Sequence, residues 1–253
     1  MSVIDIRRGI PLRLTFGKGQ NTRPNWSSDG HWVYFVSNVS GLGIYRKAAD
    51  GSGAIERIVS ASGDSAVHAI SADGKTLVFP QVGVNTGRDL WMLNLAGDPK
   101  PQPLVVEPGD QSNAVLSPNG RWLAYHSSEQ GEIYVRPFPA TANGRWQVVA
   151  SGGKWPLWSR DGKELFYVSG KGLMSVPVET AGTTFQWGAA RTLFAASYAG
   201  WQGLAGPRNY DLSPDGKRFL VIKPMNTERS GYSLMVVQNW TEELERVAPP
   251  KAR

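Results

Sequence analysis

The chain has 253 residues, with 27 Lys and Arg against 21 Asp and Glu, a net charge of +6, and no cysteine, which excludes disulfides, thiolate metal centres and cysteine nucleophiles. With 29 Gly, 17 Pro, 10 Trp and a hydrophobic fraction of 41%, the composition suits many short strands joined by tight turns rather than long helices. Residues 1–8 hold no apolar run long enough for a signal peptide, no segment approaches the roughly 20 apolar residues of a membrane span, and the basic residues are too scattered for a nucleic-acid surface.

In chain order, Ser2-Val3-Ile4-Asp5-Ile6 reads as a strand, and Pro11-Leu12-Arg13-Leu14-Thr15-Phe16 as a second. The first of five related phrases follows, Trp26-Ser27-Ser28-Asp29-Gly30. The others are Ile70-Ser71-Ala72-Asp73-Gly74, Leu116-Ser117-Pro118-Asn119-Gly120, Trp158-Ser159-Arg160-Asp161-Gly162 and Leu212-Ser213-Pro214-Asp215-Gly216, so the glycines recur every 42 to 54 residues. Each phrase has the chemistry of a hairpin turn: the Asp or Asn bonds back to the local backbone and the glycine accepts a positive φ. A segment rich in β-branched and aromatic residues follows each glycine, for example His31–Val36 and Lys163–Val168, and reads as a second strand.

A third strand is expected at Gly43–Arg46, Asp89–Met92, Glu132–Val135, Gly172–Ser175 and Ser233–Val236. A fourth is expected at Glu56–Val59, Gln102–Val105, Trp146–Val149 and Arg191–Phe194. Four antiparallel strands per repeat define an all-β β-propeller of four-stranded blades. Residues 1–240 are read as one propeller domain and 241–253 as a polar C-terminal tail. Five blades close if Pro11–Phe16 supplies the fourth strand of the last blade, which removes an exposed edge. The strand at Ser2–Ile6 supports the alternative, six blades with one incomplete.

The phrases Ser213-Pro214-Asp215-Gly216-Lys217 and Trp158–Tyr167 resemble the repeats of TolB-type propellers. Gly87-Arg88-Asp89-Leu90-Trp91, Ile133–Pro139 and Val237-Gln238-Asn239-Trp240 resemble more narrowly the C-terminal propeller of bacterial serine/threonine kinase fusions. No kinase motif is present, so kinase activity does not carry over. The resemblance implies an interaction or sensor module that binds a protein, and a periplasmic location.

The turn aspartates recur with the repeat and are therefore expected to form turns. The three histidines, His31, His68 and His126, fall in different repeats, so neither a metal site nor a cofactor is expected. No catalytic residue is singled out. Candidate ligand contacts are the residues that precede the first strands, where loops crowd one channel mouth: Arg23, Asn25, His68, Asn113, Lys154, Trp155, Arg208 and Tyr210. The loops joining second and third strands add Arg88, Lys223, Asn226, Glu228 and Arg229. The longest loop, 195–208, adds Tyr198 and Trp201, aromatic groups suited to an interface. These residues predict a monomeric, noncatalytic binding propeller taking a protein, peptide or small ligand. The competing expectation is a propeller enzyme, such as a metal-dependent lactonase or lyase, with Asn113 and His68 near an axial ion.

Overall fold

The computed structural model describes residues 1–5, 8–61, 66–97, 100–127, 131–195, 208–224 and 232–237, the last six and residues 223–224 by their backbone. The chain divides into two compact units, Met1–Leu116 and Ser117–Arg253. Among the described residues no helix is long and apolar enough to cross a membrane.

In the first unit β1 (Ser2–Asp5) pairs antiparallel with β2 (Ile10–Arg13). The next sheet runs in order β3 (Asn21–Trp26), β4 (Trp32–Ser37), β5 (Gly43–Ala48) and β6 (Glu56–Ser60). Its neighbour runs β7 (Ala69–Ile70), β8 (Thr76–Val82), β9 (Arg88–Asn94) and β10 (Gln102–Val105), and β11 (Gln111–Leu116) ends the unit. Apolar residues that alternate along these strands pack together: Tyr34, Val36 and Ile44 meet Val67, Leu77, Phe79 and Leu93 in one buried cluster.

The second unit begins with β12 (Trp122–Ser127), β13 (Glu132–Pro137) and β14 (Trp146–Val149), paired antiparallel in that order. There follow β15 (Lys154–Trp158), β16 (Glu164–Ser169) and β17 (Gly172–Glu179), whose outer edge takes both the short β18 (Gln186–Trp187) and β19 (Arg191–Phe194). Last come β20 (Tyr210–Leu212), β21 (Phe219–Pro224) and β22 (Tyr232–Val237). Trp155, Leu157, Phe166 and Val168 pack with Tyr210, Leu212, Phe219 and Val221, so here too the core lies between successive sheets.

All five turn phrases fold alike. The Ser27 hydroxyl donates to Asp29 Oδ1 at 2.5 Å, that carboxylate accepts from the backbone N–H of His31 at 2.9 Å, and Ser27 Oγ accepts from the N–H of Trp32 at 2.9 Å. Gly30 closes the turn at φ 72°. The same three bonds recur at Ser71/Asp73, Ser117/Asn119, Ser159/Asp161 and Ser213/Asp215. The turn aspartates are thus scaffold residues, bonded within their own turns. The turns also tie neighbouring repeats: Ser28 Oγ donates to Ser71 O, and Arg160 Nε to Ser213 O, each at 3.2 Å.

Among the described residues β2 pairs with β1, and β20–β22 form a three-stranded sheet of their own. Ser2–Asp5 and Ile10–Arg13 pair in register from Ser2 opposite Arg13 to Asp5 opposite Ile10. A hairpin of this kind needs only local chain reversal, which keeps its closure entropy low.

Candidate functional site

Three described residues other than glycine adopt a positive φ: Arg23 at 54°, Asn113 at 51° and Trp155 at 56°. All three stand seven residues before a turn glycine, at the leading end of a first strand. In β3 the register against β4 shifts between Thr22 and Asn25, and in β15 the register against β16 shifts between Lys154 and Leu157. These are bulges, which bend a strand and re-aim its side chains. Asn tolerates the left-handed region, whereas Arg and Trp are held there against a cost of about 1–2 kcal/mol each. Such strain persists where surrounding structure over-determines it, commonly at binding sites.

In the first unit, the left-handed segments are braced by side-chain amides. Asn25 Nδ2 donates to Val67 O and His68 O at 3.3 and 3.4 Å, joining β3 to the segment that leads into β7. His68 is half-buried, and its backbone N–H donates to Val78 O. Asn113 Nδ2 donates to Ser112 Oγ at 3.2 Å. Nine residues before their turn glycines, Asn21 Nδ2 donates to Gly19 O, and Gln111 Nε2 to the carbonyls of Glu107, Pro108 and Gly109. Sequence reasoning did not single out these two clamps, although their shared offset was a usable signal. Arg88 locks two loops, its backbone N–H and Nη2 donating to Asp110 Oδ1 and Oδ2, both at 2.8 Å. Arg23, Asn25, His68 and Asn113 are thus all partly exposed at the leading ends of first strands in this unit.

In the second unit the expected contacts sort differently. Trp155 is 1% exposed and Tyr210 4%, both within the core. The Tyr210 hydroxyl donates to Trp155 O at 2.6 Å, and burial pushes this phenol well above its ordinary range. Packing places these two aromatics in the core, where they join successive sheets. Lys154 lies over the Trp155 ring, its Nζ 4.5 Å from the centroid, and desolvation lowers its pKa. Arg208 Nε donates to Tyr210 O at 3.1 Å, and its Nη2 keeps a loose 3.9 Å contact with the exposed Asp211. Lys223 lies in β21 opposite Ser233. Tyr198, Trp201, Asn226, Glu228 and Arg229 lie outside the described residues.

No family model matches the chain. It is 45% identical over 78 residues to an uncharacterised protein of Agrobacterium fabrum, a match covering 30% of this chain and 26% of that protein. Among solved structures it is similar to TolB from Acinetobacter baumannii, at 17% identity and a TM-score of 0.70, covering 94% of this chain. It is also similar to oligogalacturonate lyase from Vibrio parahaemolyticus, at 12% identity and a TM-score of 0.60, covering 95% of this chain and 68% of that one. The chain spans 56% of the length of the Acinetobacter TolB chain. The fold is a TolB-like β-propeller built from four-stranded antiparallel blades. At these identities the likeness is one of fold, and one fold serves both a TolB and a lyase.

Proposed function

We propose that this chain is a noncatalytic binding module that takes a protein, peptide or small ligand at the leading ends of its first strands. The observation that carries this reading is the recurrence of a non-glycine left-handed residue with a partly exposed side chain at one repeat offset, in Arg23 and Asn113. A scaffold with no use for these side chains would place glycine there, as it does at all five turn phrases. The amide clamps and the Arg88–Asp110 pair support the same reading, because they pre-organise the loops beside the bulges, and pre-organised loops bind with less ordering cost. The resemblance of Gly87–Trp91 and Ile133–Pro139 to kinase-fused propellers makes a sensor or interaction role the more specific form of the proposal.

The test is the double variant Arg23→Gly/Asn113→Gly, which removes two candidate contacts while permitting the left-handed backbone. Immobilised wild-type protein is expected to capture a partner from extracts of the source cells. The variant is expected to lose it with thermal unfolding unchanged or raised. Undiminished capture by the variant refutes the proposed face.

A further inference from the structure

We infer that Asn143 is a modification site, where the side-chain amide converts without an enzyme to aspartate and isoaspartate. The chain holds two Asn-Gly pairs, Asn119-Gly120 and Asn143-Gly144, and the same chemistry is open to each. The backbone nitrogen of the glycine gives up its proton and attacks the side-chain Cγ of the asparagine. An N–Cγ bond forms, the Cγ–Nδ2 bond breaks, and the amide nitrogen takes up a proton and leaves as ammonia. Water, the co-reactant, then opens the resulting succinimide at either carbonyl, giving aspartate or isoaspartate. Glycine hinders the attack least, because it has no Cβ and its backbone turns freely.

The fold separates the two pairs. Asn119 is held at both ends of its amide: Oδ1 accepts from Ser117 Oγ at 2.7 Å and from the N–H of Arg121 at 3.1 Å, and Nδ2 donates to Thr180 O at 3.0 Å. The attacking group is engaged as well, since the Gly120 N–H donates to Ser117 O at 2.8 Å. Asn143 is exposed, at the end of a single 3₁₀ turn, Thr141–Asn143, in which no residue is buried and no side chain caps the N-terminus. Among the described residues the Asn143 amide makes no hydrogen bond and the Gly144 N–H donates to no acceptor. The turn rests on the bonds from Thr141 N to Pro139 O at 2.9 Å, from Asn143 N to Ala140 O at 3.0 Å and from Arg136 Nη1 to Thr141 O at 2.9 Å. An exposed turn with so few bonds opens at little cost, which lets the backbone at Asn143 rotate until the Gly144 nitrogen reaches Cγ.

Packing also keeps the labile pair in place. A Cβ at residue 144 would stand 2.5 Å from Trp146 Cη2, so the indole requires glycine at the one position where glycine speeds loss of the preceding amide. The product brings a carboxylate to an exposed turn two residues before Arg145, whose guanidinium lies 3.8 Å from the Tyr134 ring centroid. Isoaspartate further lengthens the main chain by one methylene, directly before the glycine on which the Trp146 ring rests.

The test incubates the full folded chain in mildly alkaline buffer, and in parallel the same chain unfolded in urea. Peptide mass spectrometry follows the two asparagines, and ion exchange follows the appearance of a form one charge more acidic. In the folded chain Asn143 is expected to lose its amide at least about tenfold faster than Asn119, whose turn must open first. In urea the two should react at similar rates, which assigns the difference to the fold. Asn143→Gln, an exposed substitution, should abolish the early acidic form. Equal loss at Asn119 and Asn143 in the folded chain overturns the inference. So does an Asn143 that survives folded while it reacts in urea, or an acidic form that arises undiminished in Asn143→Gln.

Discussion

Replacing the left-handed residues by glycine should shift stability in opposite directions in the two units. At Arg23, with φ 54°, glycine relieves a left-handed penalty of about 1–2 kcal/mol and loses about 0.5–1 kcal/mol through greater freedom of the unfolded chain. The side chain is only half-buried, so the net expectation is a gain of about 0–1 kcal/mol. At Trp155 the same relief of strain is available, but the indole is 1% exposed in the core that joins β15 and β20. Truncating a buried aromatic costs about 3–5 kcal/mol, so Trp155→Gly should destabilise by about 2–4 kcal/mol. For a chain of this length one kcal/mol moves Tm by about 2–4 °C. Calorimetry should therefore show Arg23→Gly unchanged or up by as much as about 4 °C, and Trp155→Gly lowered by at least about 5 °C. A clear fall in Tm for Arg23→Gly would refute the view that its backbone is held against strain. A neutral Trp155→Gly would refute the core assignment of that ring.

Acid should remove the turn bonds in a defined window. Hydrogen bonds from Ser27, then from the His31 backbone, hold the Asp29 carboxyl at about 2, below its ordinary 3.8, and Asp73, Asp161 and Asp215 are lowered by the same arrangement. A folded pKa below the unfolded one means a stabilising contribution that is full above pH 3.8 and lost as pH falls towards 2. Asn119 already performs this role without a charge, so Asp73→Asn should keep the turn and flatten its share of the fall in Tm between pH 5 and 2. An equally steep fall in a variant carrying Asn at all four aspartates would count against this assignment. Separately, Tyr210→Phe leaves Trp155 O without its 2.6 Å donor and should cost about 1–3 kcal/mol in urea unfolding, and a loss below about 0.5 kcal/mol would show the bond to be dispensable.

The parts of this fold that could be read from sequence are those whose chemistry is local. A Ser, an Asp or Asn two residues on and a Gly after it contain all the donors, acceptors and backbone freedom the turn needs, and each of the five phrases forms it. The bulges were not legible, because the left-handed position is filled by Arg, Asn and Trp, which share no local chemistry, while Val67 and Asn209 at the same offset lack the positive φ. Burial at the first strands was equally hidden: β3 alternates partly exposed and exposed residues, whereas β15 is buried throughout, so a shared offset put Arg23 at the surface and Trp155 in the core.

That division bears on where recognition resides. The Ser hydroxyls and the Oδ1 atoms of the Asp or Asn in the turn phrases are engaged within the turns, and a group so engaged has little to offer a ligand. Seven residues before three of the five turn glycines the left-handed backbone repeats but the side chains do not, being Arg23, Asn113 and Trp155. A symmetric ligand would favour repeated chemistry at these positions. If the first unit binds as proposed, its unlike groups on like backbones suit a ligand that meets a different contact at each strand, as an extended peptide does.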